Sequence, residues 1–283
     1  MSKKQPDPFL EVRVSEIHWD PGLIGLCAGY ERGTWRAEQL AGHLIEWIPE
    51  FALSHSERQE MNDATAVALL REAALKIYKT DKFKNRGEIG ELILHAVLRQ
   101  VHATYPALSK IYYKDSSNDI VKGFDAVHVV ASGKELELWI GEVKYYKSIN
   151  KAISDVVEEL KKHTTVNFLR DEFILISDKI DPSWPFAKAL KNLIHRNKSM
   201  DEIFARTVIP VLLCYESDTV KAYDQLCVQY TAAYREEIET HYKRFCGAGL
   251  PLNICLNLLL LPLHTKRNLS KSFDTRLKAL QAL

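Results

Sequence analysis

The sequence predicts an α/β protein built on a mixed β-sheet flanked by helices. Segments with helical spacing alternate with short β-branched or aromatic segments along most of the chain. Two of the latter, residues 123–130 (Gly-Phe-Asp-Ala-Val-His-Val-Val) and 135–146, stand on either side of Ala131-Ser132-Gly133-Lys134, which is hairpin chemistry. With 46% hydrophobic and 27% charged residues in 283, the chain has enough apolar material for an ample core without disulfides. Disorder and collagen-like structure are excluded, and no repeat of 20–50 residues points to a solenoid.

Residues 9–14 alternate and predict a strand. The stretch 36–78 has helical spacing, from Leu40, Leu44 and Trp47 to Leu69, Leu70 and Ile77. Pro49 should break it, and Asn62-Asp63 should lie at the N-cap region of a second helix. Residues 86–101 give the clearest amphipathic helix: Ile89, Leu92, Ile93, Ala96, Val97 and Val101 recur at i, i+3, i+4 and i+7. Pro106 follows it, and then the hairpin. A helix is expected over 150–169, a strand at 173–177, a helix at 186–195 and a strand at 208–215. A long helix at 221–245, a strand at 252–261 buried on both faces and ended by Pro262, and a short helix at 272–282 complete the chain. No linker rich in Gly, Ser or Pro divides it, so residues 1–283 are expected to form a single domain.

Charge and targeting signals exclude several function classes. Lys plus Arg is 38 against 37 Asp plus Glu, a net charge of +1, so nothing draws the whole molecule to nucleic acid or to a membrane surface. The opening Met-Ser-Lys-Lys-Gln-Pro-Asp-Pro has no apolar run after its lysines and does not read as a signal peptide. The apolar heart of the longest stretch free of charge, residues 256–261, is too short to span a bilayer. The cysteines number five, none in C-x-x-C spacing, and read as reduced core residues of a cytoplasmic protein; a zinc site is not expected.

The residues that suggest chemistry are Asp125, Glu142 and Lys144, with Glu88 and Glu91 upstream. Strand period two puts Glu142 and Lys144 on one face. A turn at Ser132-Gly133 pairs Ala131 with Lys134 and sets Asp125 opposite Ile140. Asp125 is then the diagonal neighbour of Glu142, roughly 7 Å away at the backbone. Two carboxylates in one partly desolvated place repel, at a cost of a few kcal/mol for ~6 Å and an effective dielectric of ~20. A lysine or a divalent cation must offset this. Carboxylates, waters and a phosphate oxygen suit magnesium or manganese (Mg2+, Mn2+), with Lys144 on the attacking water and Glu91 or Glu88 completing the cage. His128, an odd number of residues from Asp125, should face the other side of the sheet. His95, four residues after Glu91, is expected on the helix surface. Asp119 is the fallback acid if the register is wrong, and Asp115 reads as a loop residue.

The order Gly87-Glu88-Ile89-Gly90-Glu91 on a helix, Gly123-Phe124-Asp125 on a strand, Glu142-Val143-Lys144 on the next strand and a helix from about 150 resembles the PD-(D/E)xK nuclease superfamily. That resemblance covers about residues 80–180. It implies a restriction-endonuclease-like core, with 1–79 as an N-terminal helical elaboration and 181–283 as a C-terminal extension of the sheet. It further implies that Asp125, Glu142 and the Val143 carbonyl hold the metal while Lys144 serves the water. Phe124 stands where a proline sometimes precedes the first acid. The whole-chain layout, down to the late Leu261-Pro262, also resembles the HamA family, nuclease subunits of the bacterial Hachiman anti-phage defence system. This resemblance implies a metal-dependent deoxyribonuclease acting on DNA with a superfamily 2 helicase partner (HamB-like) in the bacterial cytoplasm.

Two other functions compete: a nuclease-fold interaction subunit that has lost the reaction, and a stand-alone restriction-type endonuclease. The intact Asp125, Glu142 and Lys144 argue against the first, and the lack of a separate target-recognition domain lowers the second. Basic runs are local. Lys82, Lys84 and Arg86 precede the acidic helix, and Lys144, Lys147 and Lys151 follow the last hairpin strand. These two flank the proposed site and are the phosphate-contact candidates. Lys161 and Lys162, the run Lys188, Lys191, Arg196 and Lys198, and the basic tail (Lys266, Arg267, Lys271, Arg276 and Lys278, with Asp274) read as solvated faces. Tyr112, Tyr113, Tyr145 and Tyr146 read as core packing rather than base-stacking platforms.

Overall fold

The computed structural model describes residues 5–78, 87–109, 111, 123–133, 135–251 and 254–283. Lys82, Lys84, Arg86, Tyr112, Tyr113, Asp115 and Asp119 lie outside these. The described chain is mixed α/β. Seven strands form one sheet: β1 (Glu11–Glu16), β2 (Gly22–Cys27), β5 (Tyr105–Ser109), β6 (Ala126–Ser132), β7 (Glu135–Tyr145), β8 (Thr207–Glu216) and β9 (Cys255–Leu263), in the order β1-β2-β9-β8-β7-β6-β5. The central four, β2, β9, β8 and β7, are parallel, while β1 at one edge and β6 and β5 at the other run antiparallel to their neighbours. A two-stranded hairpin, β3 (Tyr30–Glu31) with β4 (Thr34–Trp35), stands apart from this sheet.

Parallel strands covered on both faces must be apolar nearly throughout, and β8 and β9 are buried along almost their whole length. One face packs against α1 (Ala37–Ala52), α3 (Ala66–Ile77), α4 (Glu88–Val101) and α11 (Lys266–Gln281). The other packs against α5 (Ile149–His163), α6 (Val166–Lys179), α7 (Ala187–Leu193) and α10 (Val228–Cys246). Strand β7 serves both cores: Trp139, Val143 and Tyr145 enter the first, and Leu136, Leu138 and Ile140 enter the second. Tyr145 is thus a core residue.

Several expected boundaries move. Residues 173–177 are helix, not strand. Leu169, Glu172, Phe173 and Ile176 of α6 are buried at i, i+3, i+4 and i+7, while Ile174 and Leu175 stay 57% and 43% exposed. The expected helix at 150–169 ends at His163, and the one at 221–245 is two, α9 (Asp218–Ala222) and α10. Pro49 sits in the last turn of α1 rather than breaking it. Asn62 caps the turn into α3, its Oδ1 accepting from Ala64 N–H at 2.9 Å. Helix α11 begins earlier than expected, where the Thr265 hydroxyl accepts from Asn268 N–H. Pro262 lies inside β9, opposite Tyr215. The Leu263 carbonyl bonds toward β8 through Ser217 N–H, so Pro262 faces the β2 side, where pairing has already stopped at Leu260. Its missing N–H therefore breaks no ladder bond. Only Cys27 and Cys214 are buried; Cys227 and Cys246 are half-buried and Cys255 is exposed, all five as free thiols.

Gly90 sets how closely α4 approaches the sheet. A Cβ there would lie 3.0 Å from Tyr145 Cβ and 3.1 Å from Val143 Cγ2. Gly90→Val should therefore cost about 1–3 kcal/mol by overpacking. A chemical-denaturation midpoint unchanged from the parent would refute this tight contact.

Candidate functional site

The hairpin register decides the site. Ser132 pairs with Glu135, and Gly133 takes φ 62 as the first residue of the loop, the positive φ that two-residue hairpin turns require. The pairing then runs Val127 to Ile140 and Ala126 to Gly141. This corrects the expected register by two residues: the ladder ends with Ala126 opposite Gly141, so Asp125, just before it, does not lie opposite Ile140. A slip of two keeps every paired side chain on its face; Glu142 and Lys144 point into the α5 side, with Asp125 close enough for its charge to act on both.

Asp125 stands immediately before Ala126, where the ladder begins. Its N–H donates to the Gly141 carbonyl at 2.8 Å, and its Oδ2 accepts from Val143 N–H at 2.9 Å. In a strand the N–H and C=O of one residue point to the same side, so the Val143 carbonyl also looks past the start of β6. Gly123 takes φ 149, and a Cβ there would fall 2.8 Å from Glu172 Oε1; only glycine fits this turn into Asp125. Phe124 is fully buried, its ring edge-on to His163 with centroids 5.5 Å apart.

Glu142 is 1% exposed. Its Oε1 lies 2.5 Å from His163 Nδ1, and the imidazole stacks on Phe168 at 4.2 Å. Burial lifts the Glu142 pKa to about 7; the His163 hydrogen bond works against this, and Asp125 adds to it. The Lys144 amine is bonded to the Glu159 carboxylate. Burial would lower its pKa, but the bond to Glu159 and the charges of Glu142, Glu159 and Asp125 prevail and hold it above the ordinary lysine value. Lys144 is therefore an ammonium throughout the neutral range.

Asp125, Glu142 and Lys144 come together. Glu91 is buried and Glu88 half-buried on α4, which covers the opposite face of the sheet. Among the described residues no three His, Cys, Asp or Glu side chains form a metal-binding group. His128 faces the α4 side as expected, and its Nδ1 lies 2.7 Å from Thr104 Oγ1. His95 corrects its expectation. It is buried rather than on a helix surface, its ring 5.1 Å from that of His128 and its Nε2 3.5 Å from Glu50. The reason is that residues 89–99 of α4 are buried all round. Lys147 and Lys151 are exposed, and Lys151 pairs with Asp155 at 3.3 Å.

The spacing alone did not single out Glu159, His163 or Glu172. The signal for the first two is present: His163 follows Val156 and Leu160 on the buried stripe of α5, with Glu159 one turn before it.

The fold and site define a three-layer α/β protein with a buried acidic pair and a lysine on one face of the sheet. The chain belongs to the HamA family, whose profile matches residues 6–277. It is also similar to "Anti-bacteriophage protein A" of Escherichia coli (strain K12), 24% identical over 175 residues. That alignment takes in 56% of this chain and 32% of the relative, so the chain matches about a third of the relative's length. Among the described residues no helix is long and apolar enough to cross a membrane.

A carboxylate whose folded pKa is raised adds stability below its unfolded pKa, and that contribution is lost as pH rises through the folded value. Without added divalent metal, Glu142→Gln should therefore stabilise the protein at pH 8, by on the order of 2 kcal/mol. The gain should fade toward pH 4.5. Equal melting temperatures of parent and variant across this window would contradict the buried, charge-deficient environment of Glu142.

Proposed function

We propose that this protein is a divalent-metal-dependent nuclease that hydrolyses phosphodiester bonds of DNA, as the effector of an anti-phage defence system with a superfamily 2 helicase partner. The observation that carries the reaction is the gathering of two buried acids at the end of the β6–β7 ladder, where Asp125 accepts from Val143 N–H beside Glu142, with Lys144 two residues along the same face. The PD-(D/E)xK order of these residues along the hairpin supports it, as does the following helix α5. Defence rests on HamA membership and on the name of the E. coli relative, an anti-bacteriophage protein. The helicase partner rests on the family resemblance.

The donors suit Mg2+ or Mn2+. Two carboxylates are gathered in a desolvated place short of positive charge, where Glu142 resists ionisation. Mg2+ favours one or two carboxylates and fills its remaining positions with water and substrate phosphate. Asp125, Glu142 and the Val143 carbonyl would hold the ion. When bound, it supplies Lewis-acid polarisation of the phosphate and a more acidic water. Val143 N–H keeps the Asp125 carboxylate turned toward β7. Lys144, ammonium at neutral pH, donates to the attacking water or to the charge that builds on the phosphate oxygens. The water oxygen bonds to phosphorus and releases a proton to solvent, the bridging P–O bond breaks, and the departing oxygen takes up a proton, so one water is consumed per bond cleaved.

With Mg2+ and plasmid DNA, Asp125→Ala, Glu142→Ala and Lys144→Ala should each lower cleavage at least ~100-fold with far-UV circular dichroism unchanged. Full cleavage by the Glu142→Ala/Lys144→Ala double variant would end this assignment. Because the net charge is only +1, the chain alone should bind duplex DNA more weakly than nanomolar in physiological salt, as read by fluorescence anisotropy.

A further inference from the structure

Two residues on β7 and two on α5 are matched one to one. Glu142 and Lys144 are two apart on a strand, a rise of about 6.7 Å. Glu159 and His163 are four apart on a helix, a rise of about 6 Å. The equal spacing lets one helix face meet both strand side chains: His163 Nδ1 lies 2.5 Å from Glu142 Oε1, and Glu159 accepts from the Lys144 ammonium. Each contact engages its partner on one side only. The Glu142 bond takes Oε1 and leaves Oε2; the Lys144 bond uses one of three ammonium donors.

The imidazole is itself fixed. It stacks on Phe168 with rings 13° from parallel, and Phe124 meets it edge-on. Phe168 belongs to α6 and Phe124 precedes Asp125, so the element that carries the first acid also braces the histidine that holds the second. Glu159, by contrast, is 40% exposed at its side chain, which places the Lys144 end of the pair toward solvent.

We propose that α5 supplies two positioning residues to the site. His163 aims the Glu142 carboxylate so that Oε2 is presented to a divalent cation, and Glu159 holds the Lys144 ammonium beside it. This rests on the proposed nuclease site. A carboxylate ligand held from behind by an imidazole N–H loses less freedom on binding metal, and loss of such outer partners typically weakens metal affinity by 10–100-fold.

Two variants of His163 separate positioning from packing. His163→Phe keeps the ring stack on Phe168 and loses the donor. His163→Asn keeps an N–H near the place of Nδ1–H and loses the ring. Calorimetric titration of Mn2+ into the full chain, without nucleic acid, should show His163→Phe binding at least ~10-fold more weakly and His163→Asn within ~3-fold of the parent. Glu159→Ala should leave Mn2+ affinity unchanged yet lower kcat by ~10-fold at constant KM, with Glu159→Gln recovering most of the loss. Tight Mn2+ binding by His163→Phe, or an equal loss in both His163 variants, would overturn the positioning role. Glu142→Ala is the control for the underlying site. If it abolishes Mn2+ binding while His163→Phe does not, only the positioning role fails. If it binds Mn2+ as the parent does, or the parent binds none, the metal site fails and the positioning role with it.

Discussion

Two carboxylates occupy a place from which most water has been removed, and everything about the site follows from that expense. Desolvation and mutual repulsion both oppose ionisation of Glu142, and its pKa of about 7 records their sum after His163 and Lys144 have offset part of it. A fold tolerates such a pair only if the backbone beneath cannot relax it apart. Here the backbone is the end of an antiparallel ladder whose other strand neighbour, β8, is buried along nearly its whole length. The acids are neighbours because the loop at Gly133 sets the register of the hairpin, and they are buried because α5 and α6 cover that face.

The sheet divides labour between its faces. Alternate residues of β7 feed two separate cores, so the strand that carries Glu142 and Lys144 on one side anchors α4 through Val143 and Tyr145 on the other. The α4 side holds its own polar cluster, in which Glu50 meets Arg58, Arg99 and His95 at 3.2, 3.0 and 3.5 Å. The contacts of Glu50 with Arg99 and His95 join α1 to α4 behind the sheet. They lie across the sheet from the acidic pair, which fits a bracing role for that layer.

Much of this was legible in the residues. Period-two alternation and the turn chemistry at 131–134 found the hairpin, and parity put Asp125, Glu142 and Lys144 on one face and His128 on the other. The register that places Asp125 was not legible, because either of two adjacent residue pairs can form the loop, both contain Gly133, and only the pairing of Ser132 with Glu135 distinguishes them. Strand β2 escaped because Gly-Leu-Ile-Gly-Leu-Cys neither alternates nor carries many β-branched residues; it forms because β9 offers a parallel partner. Residues 173–177 misled for the converse reason: Phe-Ile-Leu-Ile looks like a buried strand until its neighbours Leu169 and Glu172 complete a helical stripe. His163 and Glu159 were hidden because a helix residue shows a role only once the opposing strand is known.

The close seat of α4 bears on the letter between Glu142 and Lys144 that any string search would leave blank. Val143 hands its N–H to Asp125 while its side chain meets the spot where Gly90 has no Cβ. A longer side chain at 143 would lift the helix away from the sheet; a proline would remove the hydrogen that steers the first acid. The wildcard position of the pattern is therefore among its most narrowly tailored, and homologues that vary there should be found to change residue 90 in step.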